Sequence, residues 1–306
     1  NKNMVGIGLL YRNGYFVQHI TKNGEQISNY VPQKFSQLPI SSVMDKQGGW
    51  QKISVALPGR IVYAKAWLCK VGRVPLYLLD TDIEDNNEQD RQITAQLYGG
   101  NPEMRLKQEI ILGIGGIRLL QALNIHPDIY HNNEGHSAFS CLERLQHYVV
   151  DNKIAVDEAR ELISASTLYT THTAVPAGHD AFDEELMRVY FSHYCSVINI
   201  SWNDFMAFGR FDPDNSNEKF SMSVLAIHFS QEVNGVSEIH GQVSRRMFAP
   251  LFKGYFPEEL FITHVTNGVH FPTWVANSWL RLYVETFGEE FLSNQSNEQY
   301  WLKIHN

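Results

Sequence analysis

The chain has only three cysteines in 306 residues, Cys69, Cys141 and Cys195, far apart and odd in number. Neither a disulfide framework nor a four-ligand zinc ribbon can be built from them, and a reducing cytoplasm is the expected compartment. Long apolar runs are missing too. A membrane helix needs roughly 18 apolar residues, and the best stretch, residues 110–123, is broken by glycines and by Arg118. Positive charge is in deficit: the net charge of −8 argues against a nucleic-acid surface, which needs a basic field, and leaves neutral sugars acceptable as ligands. No signal-peptide pattern opens the chain. Asn1-Lys2-Asn3-Met4 leads straight into a strand-like run, so a segment of something longer is expected. Gly-x-Ser-x-Gly and Gly-x-x-x-x-Gly-Lys-Ser/Thr are both absent, which sets aside a serine hydrolase of that type and a P-loop NTPase. With 43% apolar and 19% charged residues, the chain can still bury a substantial core.

The first hundred residues read as strands and turns. Residues 5–10, 15–20, 52–56, 60–68 and 74–80 are short, rich in β-branched and aromatic side chains, and bounded by Gly, Pro, Asn or Asp. Asn13-Gly14 between the first two predicts a hairpin. The most polar stretches, residues 80–90 and 212–219, are expected as exposed loops. From residue 101 the period changes. Asn101-Pro102-Glu103 has the cap, proline and acid of a helix start, and Leu106, Ile110, Ile114 and Ile117 mark one face at helical spacing. Gly113, Gly115 and Gly116 lie inside that helix rather than after a strand, so close packing on a sheet explains them better than a phosphate loop.

Strands and helices then alternate. Strands are expected near residues 129–131, 167–171, 233–236 and 261–265, and helices near 136–149, 154–165, 224–229, 239–247 and 274–287. This order implies an α/β fold with a mostly parallel sheet covered on both faces, and ligands bind beyond the carboxyl ends of such strands. The chemistry-bearing motifs fall there. His131-Asn132-Asn133-Glu134-Gly135-His136 offers hydrogen-bonding groups for sugar hydroxyls, while helix capping is the reading the motif favours when taken alone; its spacing matches no zinc motif, and no metal is expected. Tyr169-Thr170-Thr171-His172-Thr173 runs into a Pro176-Ala177-Gly178-His179-Asp180 loop, a hydroxyl-rich turn that can aim side chains and carbonyls into a cleft, or simply hold a structural histidine. Asn234-Gly235 and Asn267-Gly268 mark two further strand-to-turn corners, where glycine permits positive φ. A pair of glycosidase carboxylates, Glu134 with Asp180, stays open.

Taken in order, these segments resemble the α-glucan (glycogen, starch, maltodextrin) phosphorylases of the shorter bacterial type. The matching residues are Gly6-Ile7-Gly8-Leu9-Leu10-Tyr11 through Gly14-Tyr15-Phe16, Arg105-Leu106-Lys107-Gln108-Glu109, Asn133-Glu134-Gly135-His136 and Thr171-His172-Thr173 with Pro176. Val233-Asn234-Gly235-Val236-Ser237 and Thr266-Asn267-Gly268 continue the match. The resemblance implies a Rossmann-like domain of the GT-B glycosyltransferase fold, the first half of two, with residues 1–306 as one segment divided into a strand-rich part (1–100) and an alternating part (101–306). It implies reversible phosphorolysis of α-1,4-glucans or maltooligosaccharides by inorganic phosphate, releasing glucose 1-phosphate, with no nucleic acid or membrane involved and with a homodimer as one form of the parent. By position, the His172 carbonyl would stabilise positive charge at the anomeric centre. Glu134, where many relatives have Asp, and His136 would join the glucosyl site, with Thr173, Asp180 and Asn101 as further sugar contacts; the Asp180 loop is locally different, and the Gly99-Gly100-Asn101 turn is a shortened gating loop.

The family's cofactor is pyridoxal 5′-phosphate, whose phosphate acts in proton transfer. The resemblance puts its lysine in the second domain, so no cofactor-binding residue is expected in this chain, and no match to the substrate-phosphate Lys and Arg motifs occurs. The segment alone is therefore expected to be inactive. Two other readings stay open: a non-catalytic glucan-binding or regulatory module, and half of a nucleotide-sugar glycosyltransferase.

Overall fold

Alternation decides the first sheet. Along Lys52–Leu57, the residues Ile53, Val55 and Leu57 are buried and Lys52 and Ala56 exposed; the next strand, Arg60–Val71, turns Val62, Ala64 and Ala66 to the same core. The computed structural model describes residues 3–97 and 99–305, so the Asn1-Lys2 lead-in lies outside it. The strands in chain order are β1 Gly6–Leu9, β2 Val17–Ile20, β3 Gln26–Asn29, β4 Ile40–Ser42, β5 Lys52–Leu57, β6 Arg60–Val71, β7 Val74–Asp80, β8 Tyr130–Asn133, β9 Thr167–Thr170, β10 Ala181–Phe182, β11 Phe220–Ser221, β12 Glu232–Gly235 and β13 Ile262–His264. The helices are α1 Glu88–Arg91, α2 Pro102–Ala122, α3 Phe139–Gln146, α4 Val156–Ala165, α5 Glu184–Ile198, α6 Trp202–Ala207, α7 Met222–His228, α8 Glu238–Phe248, α9 Phe271–Trp274, α10 Asn277–Phe287 and α11 Glu298–Leu302.

Two sheets carry the fold. In the first, β1 pairs β7 in parallel, while β6 pairs β7, β5 and β4 antiparallel. In the second, β8, β9, β12 and β13 lie side by side in that order, all parallel. The result is a mixed α/β protein with a parallel sheet in its second part. The chain separates into two compact units, Asn1–Val265 and Thr266–Asn306. The smaller holds α9, α10 and α11 around an aromatic cluster in which Phe291 is fully buried against Phe271, Tyr283 and Trp301.

Helix α2 binds the first sheet to the next layer. It starts as its sequence predicts, with the Asn101 side chain accepting from the Met104 N–H at 2.9 Å and Pro102 in the first turn. Its glycines do pack closely, on two sides. A Cβ at Gly115 would stand 3.1 Å from Ile53 Cδ1, and one at Gly116 3.0 Å from Ile7 Cγ2, both on the sheet; one at Gly113 would stand 2.7 Å from the backbone nitrogen of Ser140 on α3. Gly113→Ala should therefore lower the unfolding free energy by about 1–3 kcal/mol, the usual cost of overpacking, despite a gain of roughly 1 kcal/mol in helix propensity. Urea unfolding checks this, and an unchanged midpoint would show that α2 and α3 are not pressed together at Gly113.

Several expectations need correction. Asn13-Gly14 makes no hairpin: Asn13 continues beside residues 95–97, with its N–H on the Ala95 carbonyl at 2.7 Å and its own carbonyl taking the Leu97 N–H at 2.9 Å. The hairpin joins β2 to β3 through the next Asn-Gly, with Gly24 at φ 83°. The stretch 80–90 is solvated only in part, with Glu84, Asp85, Asn87, Glu88 and Gln89 exposed. Asp80, Thr81, Asn86 and Asp90 are buried because each has partners; Asp90 takes two bonds from the Arg60 guanidinium at 2.6 and 2.7 Å, and Asp80 accepts from Trp67 Nε1 at 3.1 Å. Gly235 is needed for close approach rather than for positive φ, since a Cβ there would stand 2.9 Å from the Gly241 nitrogen. The helix expected over 136–149 is a short 3-10 turn, Gly135–Ser137, followed by α3 and a π-turn at His147–Asp151. Helices α5 and α6 have no counterpart among the expected elements.

Candidate functional site

Strands β8 and β9 are paired from Tyr130↔Thr167 to Asn133↔Thr170, so the turns after them emerge side by side. The Glu134 N–H extends this ladder to the Thr170 carbonyl at 2.9 Å, and the Thr171 N–H reaches the Asn234 carbonyl of β12 at 3.0 Å. Three strand ends thus meet at the carboxyl edge of the parallel sheet, the position that α/β sheets use for ligands.

Glu134 is the centre of the arrangement. Its backbone sits at φ 70°, ψ 167°, a conformation normally left to glycine and costing a side-chain residue about 1–3 kcal/mol. The conformation aims its carboxylate across to the β9 turn, where Oε1 accepts the His172 N–H at 2.6 Å and the Thr173 hydroxyl at 2.9 Å. One carboxylate therefore clamps two consecutive residues. Among the described residues, the His172 carbonyl oxygen receives no hydrogen bond. Gly135 follows at a close approach of α7: a Cβ there would stand 3.0 Å from both the nitrogen and Oγ of Ser223.

The cavity over this turn has a volume of about 450 Å³, within the range of small-ligand pockets. Glu134, His136, His172, Thr173 and Asp180 all line it, joined by Arg105, Asn133, Gly135, Gly178, His179 and Ser223. Five of the six residues expected at a site are thus brought together from two motifs. Asn101 is not among the lining residues, and its side chain is spent on capping α2. Asn267 belongs to the smaller unit, Thr266–Asn306.

Arg105, on the first turns of α2, was legible only as part of a matching motif. Its guanidinium bonds Asp180 Oδ2 at 2.8 Å through Nη2 and stands 3.0 Å from Glu109 Oε1 through Nε. Burial alone would raise the Asp180 carboxyl, but the Arg105 hydrogen bond and charge hold it below the ordinary value. Glu109, only 1% exposed, is driven well above the ordinary carboxylate range by burial and by the Asp180 charge. His136 is kept neutral, lowered by burial and then by Arg105. Arg105, Glu109 and His136 also line, with Gly8 and Tyr11, a smaller cavity of about 160 Å³. Ser223 had no signal in the sequence; only the approach of α7 to Gly135 brings it here.

Among the described residues, no group of three or more His, Cys, Asp or Glu is arranged to hold a metal ion, and no helix is long and apolar enough to cross a membrane. Carboxylates, imidazoles, hydroxyls and one guanidinium thus converge on an open cleft at the strand ends of an α/β protein.

Comparison with known proteins carries the assignment further. Residues 118–301 match the family described as Carbohydrate phosphorylase. The chain is 38% identical over 314 aligned residues to a glycogen phosphorylase of Mycobacterium tuberculosis, covering 99% of this chain and 36% of that protein. It is 37% identical to a maltodextrin phosphorylase of Thermococcus litoralis (98% and 35% covered) and 32% identical to a glycogen phosphorylase of Aquifex aeolicus (97% and 42% covered). The chain belongs to the carbohydrate phosphorylase family. It spans about a third of the length of the curated relatives it matches.

Proposed function

We propose that this chain supplies the glucosyl-binding part of an α-glucan phosphorylase, the first half of a two-domain glycosyltransferase fold of GT-B type, working in a reducing cytoplasm. The observation that carries the reading is the Glu134 clamp on His172 and Thr173. It holds the His172 peptide still at the edge of the cleft, and among the described residues none bonds its carbonyl. A carbonyl dipole aimed at an anomeric carbon opposes no charge in the ground state and stabilises the positive charge that develops as the glycosidic bond breaks. Preorganised dipoles of this kind cost no rearrangement at the moment of reaction. His136, neutral, and the Thr173 and Asp180 oxygens would order sugar hydroxyls around that carbon.

The same proposal includes pyridoxal 5′-phosphate as the cofactor of the complete protein. The cavity's own residues do not fit it: lysine is absent from the lining, and the Arg105 guanidinium is committed to two carboxyls. No step by this chain's residues runs through the cofactor. The test is phosphate-dependent release of glucose 1-phosphate from maltoheptaose by the full-length protein, with and without added pyridoxal phosphate. Cofactor-dependent release is expected, with none from residues 1–306 alone. A folded, cofactor-loaded protein that releases none would instead favour a glucan-binding module.

A further inference from the structure

His179 lies in the cleft lining and has two partners, and their identities decide its tautomer. Its Nε2 is 3.2 Å from the Thr173 carbonyl oxygen. A carbonyl can only accept, so Nε2 carries the proton. Its Nδ1 is 2.6 Å from Ser223 Oγ, and with the ring neutral that nitrogen must accept the seryl proton. Burial lowers the His179 pKa, consistent with a neutral ring. The seryl oxygen in turn accepts from the Tyr169 hydroxyl at 3.0 Å. Tyr169 is fully buried in β9, so the far end of this relay is anchored in the sheet. Phe248 packs edge-on to the imidazole, with ring centroids 5.6 Å apart, and restricts its rotation.

We propose that His179 is a positioning residue of the cleft: the Tyr169–Ser223–His179 relay directs its Nε2–H to the Thr173 carbonyl and thereby completes the fixing of the His172–Thr173 peptide. The inference rests on the phosphorylase reading for its effect on turnover. Glu134 holds that segment at the His172 N–H and the Thr173 hydroxyl, both on one side. Without a third hold at the Thr173 carbonyl, the segment can rock about the clamp and swing the His172 carbonyl away from its aim. A misplacement of about 1 Å is enough to cost a rate of order 10²-fold. His179 touches no reacting atom in this scheme, so its loss should slow turnover more than it weakens sugar binding.

Two measurements test it. In the full-length protein, His179→Leu should lower kcat for phosphate-dependent release by about 30-fold while changing KM for maltoheptaose less than about threefold. His179→Gln, whose amide nitrogen can take the place of Nε2–H, should recover kcat to within about fivefold of wild type. Separately, ¹⁵N-histidine spectra of the same protein at neutral pH should show His179 neutral with its proton on Nε2, and Ser223→Ala should shift the Nδ1 resonance. A proton on Nδ1, an unchanged kcat in His179→Leu, or a His179→Gln protein as slow as His179→Leu would each overturn the inference. If His179→Leu does not fold, His179→Gln and Ser223→Ala against wild type still decide it. Wild-type protein without phosphorolysis would overturn the phosphorylase reading and the turnover effect with it, while the tautomer spectrum would still decide whether the relay exists.

Discussion

Arg105→Met is expected to cost the fold about 3–5 kcal/mol, the usual loss when one partner of a buried ionic group is removed. The reason lies in what remains. Arg105 is 17% exposed and holds Asp180 and Glu109 together from one guanidinium. Without it, a carboxylate and a carboxyl face each other at the edge of the cleft with no cation between them. Arg105→Lys should recover only part of the loss, because an ammonium cannot present two forked donors to two carboxyls. Arg105→Met combined with Asp180→Asn should recover more, since the uncompensated charge disappears. Urea unfolding of the three variants checks the order; equal stability of Arg105→Met and wild type would show that the cluster is not energetically coupled.

The same cluster sets two opposite responses to pH. Asp180 is lower in the fold than its ordinary 3.8, so its contribution is present above that value and is lost as pH falls through the folded pKa. Glu109 is well above its ordinary 4.5 in the fold. Its neutral form favours folding below 4.5, and that contribution is lost as pH rises, because the unfolded chain ionises there and the folded one does not. Glu109→Gln mimics the neutral acid without the proton equilibrium. Its stability relative to wild type should therefore increase from pH 5 to pH 8, and a difference that stays flat would show Glu109 to be ionised in the fold.

On the proposed phosphorylase function, Glu134→Ala should reduce phosphorolysis by the full-length protein by roughly 10²–10³-fold, the scale seen when a preorganised polar contact at a reacting centre is removed. The substitution frees the His172 N–H and the Thr173 hydroxyl together. Glu134→Gln keeps an oxygen acceptor and loses only the charge, so a fall of about tenfold is expected, in line with the weaker bond to a neutral acceptor. Glu134→Gly separates the backbone from the side chain. At φ 70° and ψ 167° glycine carries no steric penalty, so Glu134→Gly should be about 1–3 kcal/mol more stable than Glu134→Ala with no recovery of turnover. An active Glu134→Ala protein would remove the clamp from the mechanism.

The clamp also shows why the site was only half readable. Both of its ends stood out in the sequence, because each is a polar turn after a short apolar run. That Glu134 would adopt a glycine-like backbone and bond the second turn could not be read from either motif. Thirty-eight positions separate Glu134 from His172, and the parallel pairing of β8 with β9 alone makes them neighbours. Ser223 lies further along still, on a helix whose approach depends on Gly135 having no side chain.

Local signals fared according to how local their cause is. The cap of α2 was legible in Asn101-Pro102-Glu103 because the Asn101 side chain reaches only three residues ahead. The hairpin was assigned to the wrong Asn-Gly because both offer the same turn chemistry; which strand pairs with which is settled by β1 lying along β7. The buried part of the acidic stretch 80–90 is invisible in the sequence for a related reason. Its partners Arg60, Lys65 and Trp67 come from β6, and a sequence does not display which charges will be paired.

Composition and period by themselves determined that this is an α/β chain, and the order of its motifs carried the resemblance to the phosphorylases that the family match bears out. Those properties are written in residue type and short spacing. Only the tertiary structure decided that Glu134 holds the His172 turn, that Arg105 joins Glu109 to Asp180, and that His179 is fixed through Ser223. Each of those contacts is made by packing between elements distant in the chain, and hydrogen bonds of that kind exist only once the strands and helices have docked.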